Sequence, residues 1–346
     1  MLGVAIFERL GASQGDAALV IDTLIDANLV GHDSHGIIYI TRYAERIRKG
    51  IIDPNQKPQV TNESPSTAIV DGNWTFGQVT AKKTMEVAIE KAKKSSISAV
   101  GAFHCNHIGR LGAYTMMAAE NDMIGFLMAN SSHLTVQPYG GASPVLGTNP
   151  ISVAIPSEKM KPFLLDFATS AVAEGKIWLA AVNGVKVPLG WIVDKNGNDT
   201  DNPLDFSMLG KPVSGRLRTF GARDSHKGYC LSILIEILGG ILTGAGSVID
   251  GENVHPNENG LLAIVMDIQR FKSTEAFKKR VDSLFTIIHK EPVDPRSQNS
   301  HVQVPGEFEW LNRERNLKDG INVPNMVWDQ IVNLAEELGI DVKNPH

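Results

Sequence analysis

The 346-residue sequence predicts an α/β core flanked by a layer of helices. Between residues 65 and 270, short apolar segments typical of buried strands alternate with helical segments, and this alternation indicates an α/β fold. The first 60 residues show helical periodicity, and the chain beyond residue 270 is mostly charged helix and loop. We therefore predict a helical domain from residues 1–64 and 271–346 and an α/β core from residues 65–270.

The N-terminal segment is predicted to contain three helices, over residues 2–12, 15–30 and 34–49. In the second helix, apolar residues recur at three- and four-residue spacing, and Asn28 is the one polar residue on the apolar face. A glycine follows each of the last two segments, as is typical of helix ends.

The core is predicted to contain short strands separated by turns and helices. A turn signal, Asp-Gly, follows the first strand, and lysines end the first helix, where positive charge is favourable. The predicted strands are residues 67–70, 97–103, 124–130, 151–155, 163–166 and 261–266, and the predicted helices are 78–94, 110–121 and 226–243. Beyond the core, an amphipathic helix over 328–338 ends at Gly339.

Composition excludes several classes of protein. The 33 basic and 38 acidic residues give a net charge of −5, and no basic run indicates a nucleic-acid partner. The apolar runs are much shorter than the roughly 20 residues that span a membrane. Two cysteines make no disulfide framework and favour a reducing compartment. We therefore expect a cytoplasmic protein that binds neither nucleic acid nor membrane.

The common nucleotide-binding loops are absent from the sequence. A Rossmann fold needs Gly-x-Gly-x-x-Gly directly after a strand, but the nearest candidate, at residues 244–246, follows a helix and lacks the third glycine. The Gly-x-x-x-x-Gly-Lys-Ser/Thr loop is also missing. A dinucleotide would therefore need a site of another kind.

Residues 32–35, His-Asp-Ser-His, are dense in titratable groups. If a helix begins near Ser34, then His35, Tyr39 and Arg42 lie on one face, because they are spaced by four and three residues. An imidazole can transfer protons near neutral pH, and a guanidinium binds carboxylate, so this face suits a carboxylate-bearing substrate. The alternative is that the aspartate and serine only cap the helix and that the histidines are exposed.

Residues 104–110, His-Cys-Asn-His-Ile-Gly-Arg, connect a predicted strand to a helix. Ligands of α/β proteins bind at such junctions, and His107 lies near the helix N-terminus, where an anion is favoured. Arg110 adds a positive charge. The alternative is an ordinary helix start with an incidental histidine.

The two histidine pairs also permit a rival interpretation. His32-x-x-His35 and His104-x-x-His107, with Cys105 nearby, could supply metal ligands. On this interpretation the protein would be a metal-dependent hydrolase or lyase.

Three further segments carry weaker signals. Residues 147–150 and 164–171 offer turns with free hydroxyl and N–H groups, which can bind phosphate or ribose. At residues 225–229 a lysine lies at the start of a helix, which suits an anion. Residues 305–307, Pro-Gly-Glu, form a turn. Most such segments are only turns or helix starts.

Taken in order, these segments resemble the malate/L-lactate dehydrogenase family of the non-Rossmann type, which includes ureidoglycolate, sulfolactate, 2,3-diketogulonate and 2-hydroxycarboxylate dehydrogenases. The resemblance covers essentially the whole chain, and the combination is specific although each piece is weak. The matching residues are 31–36, 106–109, 138–141, 147–150, 165–170, 226–229, 238–244 and 305–307.

The resemblance implies a fold, an assembly and an activity. The fold is a non-Rossmann NAD(P)-binding core with a mixed sheet and a helical domain, and the assembly is a homodimer with a shared active site. The activity is hydride transfer between NAD(P)H and a small 2-oxoacid or 2-hydroxyacid. The cofactor is NAD or NADP, and no metal is expected.

The resemblance and the local sequence patterns together assign roles to residues. Catalysis is assigned to His35, His107 and Ser34, with either histidine as the general acid and base. Substrate binding is assigned to Tyr39, Arg42, Tyr43 and Thr148. Cofactor binding is assigned to His107, Arg110, Asn149, Asp166, Thr169, Ser170, Ala171, His226, Lys227, Gly228, Pro305, Gly306 and Glu307.

One departure from the family pattern concerns the substrate. Family members commonly carry an arginine four residues after the motif histidine, where it holds the substrate carboxylate, but this position is Tyr39 here. Arg42, one turn further on, or the Tyr39 hydroxyl would take its place. The sequence therefore predicts the reaction more firmly than the substrate.

Overall fold

The structure, a computed structural model, describes residues 1–206, 214–221, 224–253, 255, 258–297 and 299–342. Its N-terminal segment forms helices α1 (Leu2–Arg9), α2 (Gln14–Leu29) and α3 (Tyr39–Arg48). The third helix begins five residues later than predicted, because a 3₁₀ turn, Asp33–His35, and an extended Gly36 precede it.

Within the described residues, ten strands form two sheets. The strands are β1 (Gln59–Glu63), β2 (Thr67–Asp71), β3 (Ile97–Cys105), β4 (Met123–Ala129), β5 (Pro150–Ile155), β6 (Phe163–Ala168), β7 (Ile192–Val193), β8 (Asp199–Thr200), β9 (Arg216–Leu217) and β10 (Asn259–Asp267). The main sheet has the order β1-β2-β3-β10-β4-β5-β6, and the small sheet has the order β8-β7-β9.

The main sheet is mixed, as the family resemblance implies. Strands β2 and β3 are parallel, and the other neighbouring pairs are antiparallel. These pairings make β3, β4 and β6 run in one direction, so that their C-terminal ends meet at one edge of the sheet. A parallel Rossmann sheet is excluded by this topology.

Helices cover both faces of the main sheet. On one face, α4 (Gly77–Ser95) and α5 (Gly112–Glu120) enclose a core that includes Val100, Leu127 and Ala263. On the other face, α8 (His226–Ile235) packs against Met128 and Leu262. The predicted helix over 226–243 is α-helical only to Ile235 and continues as a π-helical turn, Glu236–Ile241.

The segment between β6 and α8 forms a small subdomain that the sequence pattern did not predict. It contains α6 (Glu174–Val182), α7 (Pro203–Phe206) and the small sheet, packed around Ile177, Phe206 and Leu217. Two-residue strands show no detectable period, which explains why they were missed.

The C-terminal helices are α9 (Thr274–His289), α10 (Glu307–Asp319) and α11 (Asn325–Glu337). Helix α11 joins the hydrophobic core of α1–α3, and Asn316 of α10 donates a 3.0 Å hydrogen bond to the Leu29 carbonyl oxygen. Both ends of the chain thus contribute to one helical layer. The division at residues 64 and 271 stays a prediction, and β1 lies inside the range assigned to the helical domain.

A membrane-spanning helix was not expected. Among the residues that the structure describes, no helix combines the length and the apolar character that crossing a bilayer requires.

Candidate active site

A cavity of about 450 Å³ lies between the helical layer and the C-terminal edge of β3, β4 and β6. Ten of the residues assigned from the sequence line it: Ser34, His35, Tyr39, Arg42, His107, Arg110, Thr148, Asp166, Ser170 and Ala171. The cavity therefore brings together the two histidine segments, which are about 70 residues apart in the chain.

Aromatic rings stack along one wall of the cavity. The His35 and His107 ring centroids are 5.8 Å apart with an angle of 18° between the planes. The Tyr39 ring lies 4.5 Å from the His107 ring at 13°. Tyr39 therefore packs on an imidazole at the position where the family resemblance predicts an arginine.

His107 is held in one orientation by Tyr43. The Tyr43 hydroxyl lies 2.7 Å from His107 Nδ1, and Gln78 Nε2 donates a 2.8 Å hydrogen bond to the same hydroxyl oxygen. The same hydroxyl lies 3.4 Å from the His107 carbonyl oxygen, and we assign its proton to the shorter contact with Nδ1, which places the imidazole proton on Nε2. Burial, with His35, Arg46 and Arg42 nearby, lowers the pKa of His107 well below its usual value. His107 is therefore a neutral hydrogen-bond donor, and Tyr43 lies behind it.

His35 has a more adaptable partner. Its Nδ1 lies 3.0 Å from the hydroxyl oxygen of the buried Ser34, which can donate or accept a hydrogen bond. Burial, followed by the charges of His32, Arg110, Lys176 and Arg42, lowers the pKa of His35 to about 4. His35 is thus neutral near pH 7 and can accept a proton.

Cationic side chains from α3 and α6 line the cavity. The Arg42 guanidinium carbon lies 5.0 Å from the Tyr39 ring centroid and 5.5 Å from the Trp178 ring centroid, so the group lies against two aromatic faces. Arg46 and Lys176 also line the cavity. This concentration of positive charge would favour a bound anion in a chain whose net charge is negative.

Arg110 and Asp166 line the cavity and interact with each other. Arg110 Nη2 donates a 2.6 Å hydrogen bond to Asp26 Oδ2, and its Nη1 lies 3.8 Å from Asp166 Oδ2. The Gly112 N–H donates to the same Asp166 oxygen at 2.7 Å. Burial raises the pKa of Asp166 although Arg110 opposes the rise. Arg110 thus connects Asp26 of α2, in the helical layer, to Asp166 of β6.

The family model for malate/L-lactate dehydrogenases matches residues 2–332. The chain belongs to the malate/L-lactate dehydrogenase family. It is 38% identical over 344 residues to the malate/(S)-sulfolactate dehydrogenase of Methanothermus fervidus, with 98% of this chain and 96% of that protein covered. It is 33% identical over 347 residues to hydroxycarboxylate dehydrogenase B of Escherichia coli K12, with 97% and 91% covered.

Solved structures agree with the sequence comparison. The malate dehydrogenase of Entamoeba histolytica superposes with a TM-score of 0.93 at 29% identity, covering 99% of this chain and 97% of that one. The sulfolactate dehydrogenase of Methanocaldococcus jannaschii superposes with a TM-score of 0.87 at 34% identity, and the match covers 99% of this chain and 96% of that one. The predicted family, fold and reaction class, an NAD(P)-dependent 2-hydroxyacid dehydrogenase, are confirmed.

Asn149 and Thr169 of this dehydrogenase point into the protein. Asn149 Nδ2 donates to Glu236 Oε2 at 3.0 Å, and its Oδ1 accepts from the Ser131 N–H at 3.1 Å. The Thr169 hydroxyl donates to the Asn149 carbonyl oxygen at 3.0 Å, and the Ser170 hydroxyl donates to the Val172 carbonyl oxygen at 2.8 Å. Because these side-chain polar groups bond within the protein, they fix the conformation of the two loops. A ligand would therefore contact the backbone atoms of these loops.

The segment 226–228 begins α8 and does not line the cavity. His226 and Lys227 are exposed. A Cβ atom on Gly228 would lie 2.6 Å from the Phe220 carbonyl oxygen, so packing requires glycine here. The assignment of the three residues to the cofactor stays a prediction.

The segment 305–307 also lies outside the cavity. The Leu164 N–H of β6 donates to the Pro305 carbonyl oxygen at 3.1 Å, and Gly306 has a φ of 102°, which favours glycine. Pro305 and Glu307 line a second cavity of about 280 Å³. Their cofactor role likewise stays a prediction.

The rival metal interpretation is not favoured. His32 Nε2 lies 3.1 Å from Glu309 Oε1, whereas His104 Nδ1 lies 3.0 Å from Asp71 Oδ1. Within the described part of the chain, neither histidine pair belongs to a group of three side chains that could hold a metal ion. The cap alternative also fails, since neither Asp33 nor Ser34 caps α3 with its side chain.

Several cavity residues were missed by the sequence analysis. Arg46 follows Arg42 by one turn, so helix periodicity could have indicated it. Lys176 and Trp178 come from α6, which carried no recognised signal. The sequence analysis therefore found both histidines but, of the cationic side chains Arg42, Arg46 and Lys176, it found only Arg42.

Proposed function

We propose that this dehydrogenase interconverts a small 2-oxoacid and the matching 2-hydroxyacid in the cytoplasm, with NAD or NADP as its cofactor. When bound, the nicotinamide would supply or accept the hydride. The observation that carries the proposal is the His35–His107 pair, with two differently bonded imidazoles facing one cationic cavity.

The cavity fits a nicotinamide ring beside a small oxoacid. Its volume lies within the roughly 300–1,000 Å³ range of small-molecule sites. Phe167 is 40% exposed and offers an apolar surface, and Arg110, which lines the cavity, has a buried Nη1 atom without a hydrogen-bond acceptor among the described residues. His107, Arg110, Ser170 and Ala171 would hold the cofactor.

We assign the proton transfer to His35. In the oxidation direction, neutral His35 would accept the hydroxyl proton, and in reduction it would return a proton to the forming alkoxide. Ser34 would orient the ring by its hydrogen bond to Nδ1. The neutral Nε2–H of His107 would donate to the substrate oxygen or the carboxamide without changing its charge.

Arg42 and Lys176 would bind the substrate carboxylate in place of the usual arginine. Arg42 is held by Tyr39 and Trp178, and Lys176 extends from α6 into the same cavity. A bound carboxylate would also raise the pKa of His35 towards neutrality, because opposite charge favours the protonated imidazole. Thr148 would contribute a hydroxyl to the substrate side.

We also infer a homodimer, as the family resemblance implies. Four large apolar side chains on α8 and the following π-helical turn are exposed by 46–61%: Leu234, Ile237, Ile241 and Leu242. They recur at spacings that place them on one side of the helix. Covering them with a second copy would remove this apolar surface from water.

A substrate panel tests the proposed function. Pyruvate, oxaloacetate, 2-oxoglutarate, phenylpyruvate and a cyclic imine acid are each supplied with NADH and, separately, NADPH, and cofactor absorbance is followed. We expect oxidation of one cofactor with at least one 2-oxoacid. Binding of NAD(P)H by fluorescence without turnover on any substrate would contradict the proposal.

A further inference from the structure

Three metal-ligating side chains meet outside the catalytic cavity. His289 Nε2 lies 2.7 Å from Glu307 Oε1, and His301 Nε2 lies 3.3 Å from Glu307 Oε2. The ligand atoms of the three residues all lie within 4.8 Å of one another. We propose that His289, His301 and Glu307 bind one Zn²⁺ ion.

The geometry suits zinc. Tetrahedral Zn²⁺ with bonds of about 2.0–2.2 Å places its ligand atoms roughly 3.3–3.6 Å apart. The His301–Glu307 separation of 3.3 Å matches this range, whereas the His289–Glu307 separation of 2.7 Å is shorter, so the His289 side chain would shift to admit the ion. Two imidazoles and one carboxylate leave a fourth position for water. Mg²⁺ and Ca²⁺ prefer oxygen ligands, so two imidazole nitrogens make a poor site for them. Zn²⁺ binds two imidazoles and a carboxylate more tightly than Mn²⁺ or Fe²⁺ does.

Neighbouring groups orient two of the ligands. The Val304 N–H donates a 3.0 Å hydrogen bond to Glu307 Oε2, and the Ser300 hydroxyl lies 3.1 Å from His301 Nδ1. If Nδ1 carries the ring proton and donates it to Ser300, the lone pair of Nε2 is free for a metal. Such outer contacts are typical of metal-ligating histidines.

The site is accessible to an ion. His301 and Glu307 line the second cavity of about 280 Å³, and their side chains are 40% and 19% exposed. His289 ends α9 and Glu307 begins α10, so the ion would link the end of one helix to the start of the next. This assignment gives Glu307 a role other than the cofactor contact implied by the resemblance.

Zinc titration of the full chain tests the site. After treatment with a chelator, equilibrium dialysis against Zn²⁺ should show one bound ion per chain, and Co²⁺ should give the visible absorption of a tetrahedral site. Zn²⁺ should also raise Tm, because a ligand that binds the folded state stabilises it. Mg²⁺ should do neither.

Variants locate the ion. His289→Ala, His301→Ala and Glu307→Gln should each weaken Zn²⁺ binding by more than about 100-fold and abolish the rise in Tm. His104→Ala is the matched control, because it removes a histidine–carboxylate pair without a third ligand, and it should bind Zn²⁺ like the wild type. Circular dichroism of the metal-free proteins checks that each is folded.

Two results would overturn the proposal. If the folded wild type binds no Zn²⁺, the three side chains form ion pairs only. If His104→Ala loses the ion while His301→Ala keeps it, the metal lies at the His104-x-x-His107 segment instead.

Discussion

His35 and His107 are stacked, yet different groups hold their Nδ1 atoms. Ser34 can exchange donor and acceptor roles with His35 as the imidazole gains or loses a proton. Tyr43, whose pKa is raised by burial and whose oxygen already accepts from Gln78, donates to His107 Nδ1 in the tautomer assigned above. The proton therefore moves more readily at His35.

The pKa of His35 predicts opposite pH dependences for the two directions. Oxidation needs neutral His35, so its kcat/KM should be flat near pH 7 and fall about tenfold per pH unit below about 4. Reduction needs protonated His35, so its kcat/KM should fall about tenfold per unit as the pH rises above about 4. Initial rates in both directions between about pH 5 and 8 check this. A reduction profile that stays flat across that range would contradict it.

Sequence spacing predicted part of the residue arrangement for an incorrect reason. His35 and Tyr39 do lie close, with ring centroids 6.4 Å apart, but they are not on one continuous helix. Lys176 lines the cavity and Trp178 packs on Arg42, and neither could be predicted, because both come from a segment over 130 residues away in sequence. Such contacts depend on tertiary packing and leave no local period.

At the level of elements, one buried amide determines how α2 joins α3. Asn28, the polar residue on the apolar face of α2, is 3% exposed. Its Oδ1 accepts the Ile37 N–H at 2.9 Å, and its Nδ2 donates to Asp33 Oδ1 at 2.6 Å. A Cβ atom on Gly36 would lie 2.0 Å from the same Oδ1, which explains the glycine of the motif.

Asn28→Ala should destabilise the protein and disturb His35. The buried N–H of Ile37 would lose its acceptor, which costs about 1–3 kcal/mol in the free energy of unfolding. Urea denaturation measures the loss. Asp22→Ala, on the exposed face of the same helix, is the control and should change stability by less than about 0.5 kcal/mol. Equal stability of the two variants would show that the amide has no such role.

The strands differ in how well the sequence predicts them. The strands β3, β4, β5, β6 and β10 were predicted within a few residues, because apolar residues dominate their sequences. Strand β1, Gln-Val-Thr-Asn-Glu, was missed because all five residues are exposed at the sheet edge. An exposed edge strand needs no apolar face, so its sequence carries no alternation.

At the scale of the whole molecule, the active site lies where separate parts of the chain meet. His35, Tyr39 and Arg42 come from the helical layer, whereas His107 follows β3 of the main sheet. Arg110 links the two through Asp26, and Arg313 of α10 also contacts Asp26. The catalytic geometry therefore depends on packing between the chain ends and the core.

The exposed apolar stripe formed by Leu234, Ile237, Ile241 and Leu242 predicts the oligomeric state. Leu242→Glu should convert the dimer to a monomer in sedimentation velocity, since a buried unpaired carboxylate opposes association. Leu189→Glu is the control, because Leu189 is 70% exposed but lies outside the stripe, and it should remain dimeric. A monomeric wild type, or a dimeric Leu242→Glu, would contradict the interface.

The role of His35 is tested most directly by a comparison of His35→Asn with His107→Asn. Removing the proton carrier should lower kcat of the His35 variant by about 10²–10⁴-fold, while NAD(P)H binding measured by fluorescence stays near the wild-type value. His107→Asn should instead weaken cofactor or substrate binding and retain more of the turnover. Near-full turnover in His35→Asn together with its loss in His107→Asn would contradict the assignment.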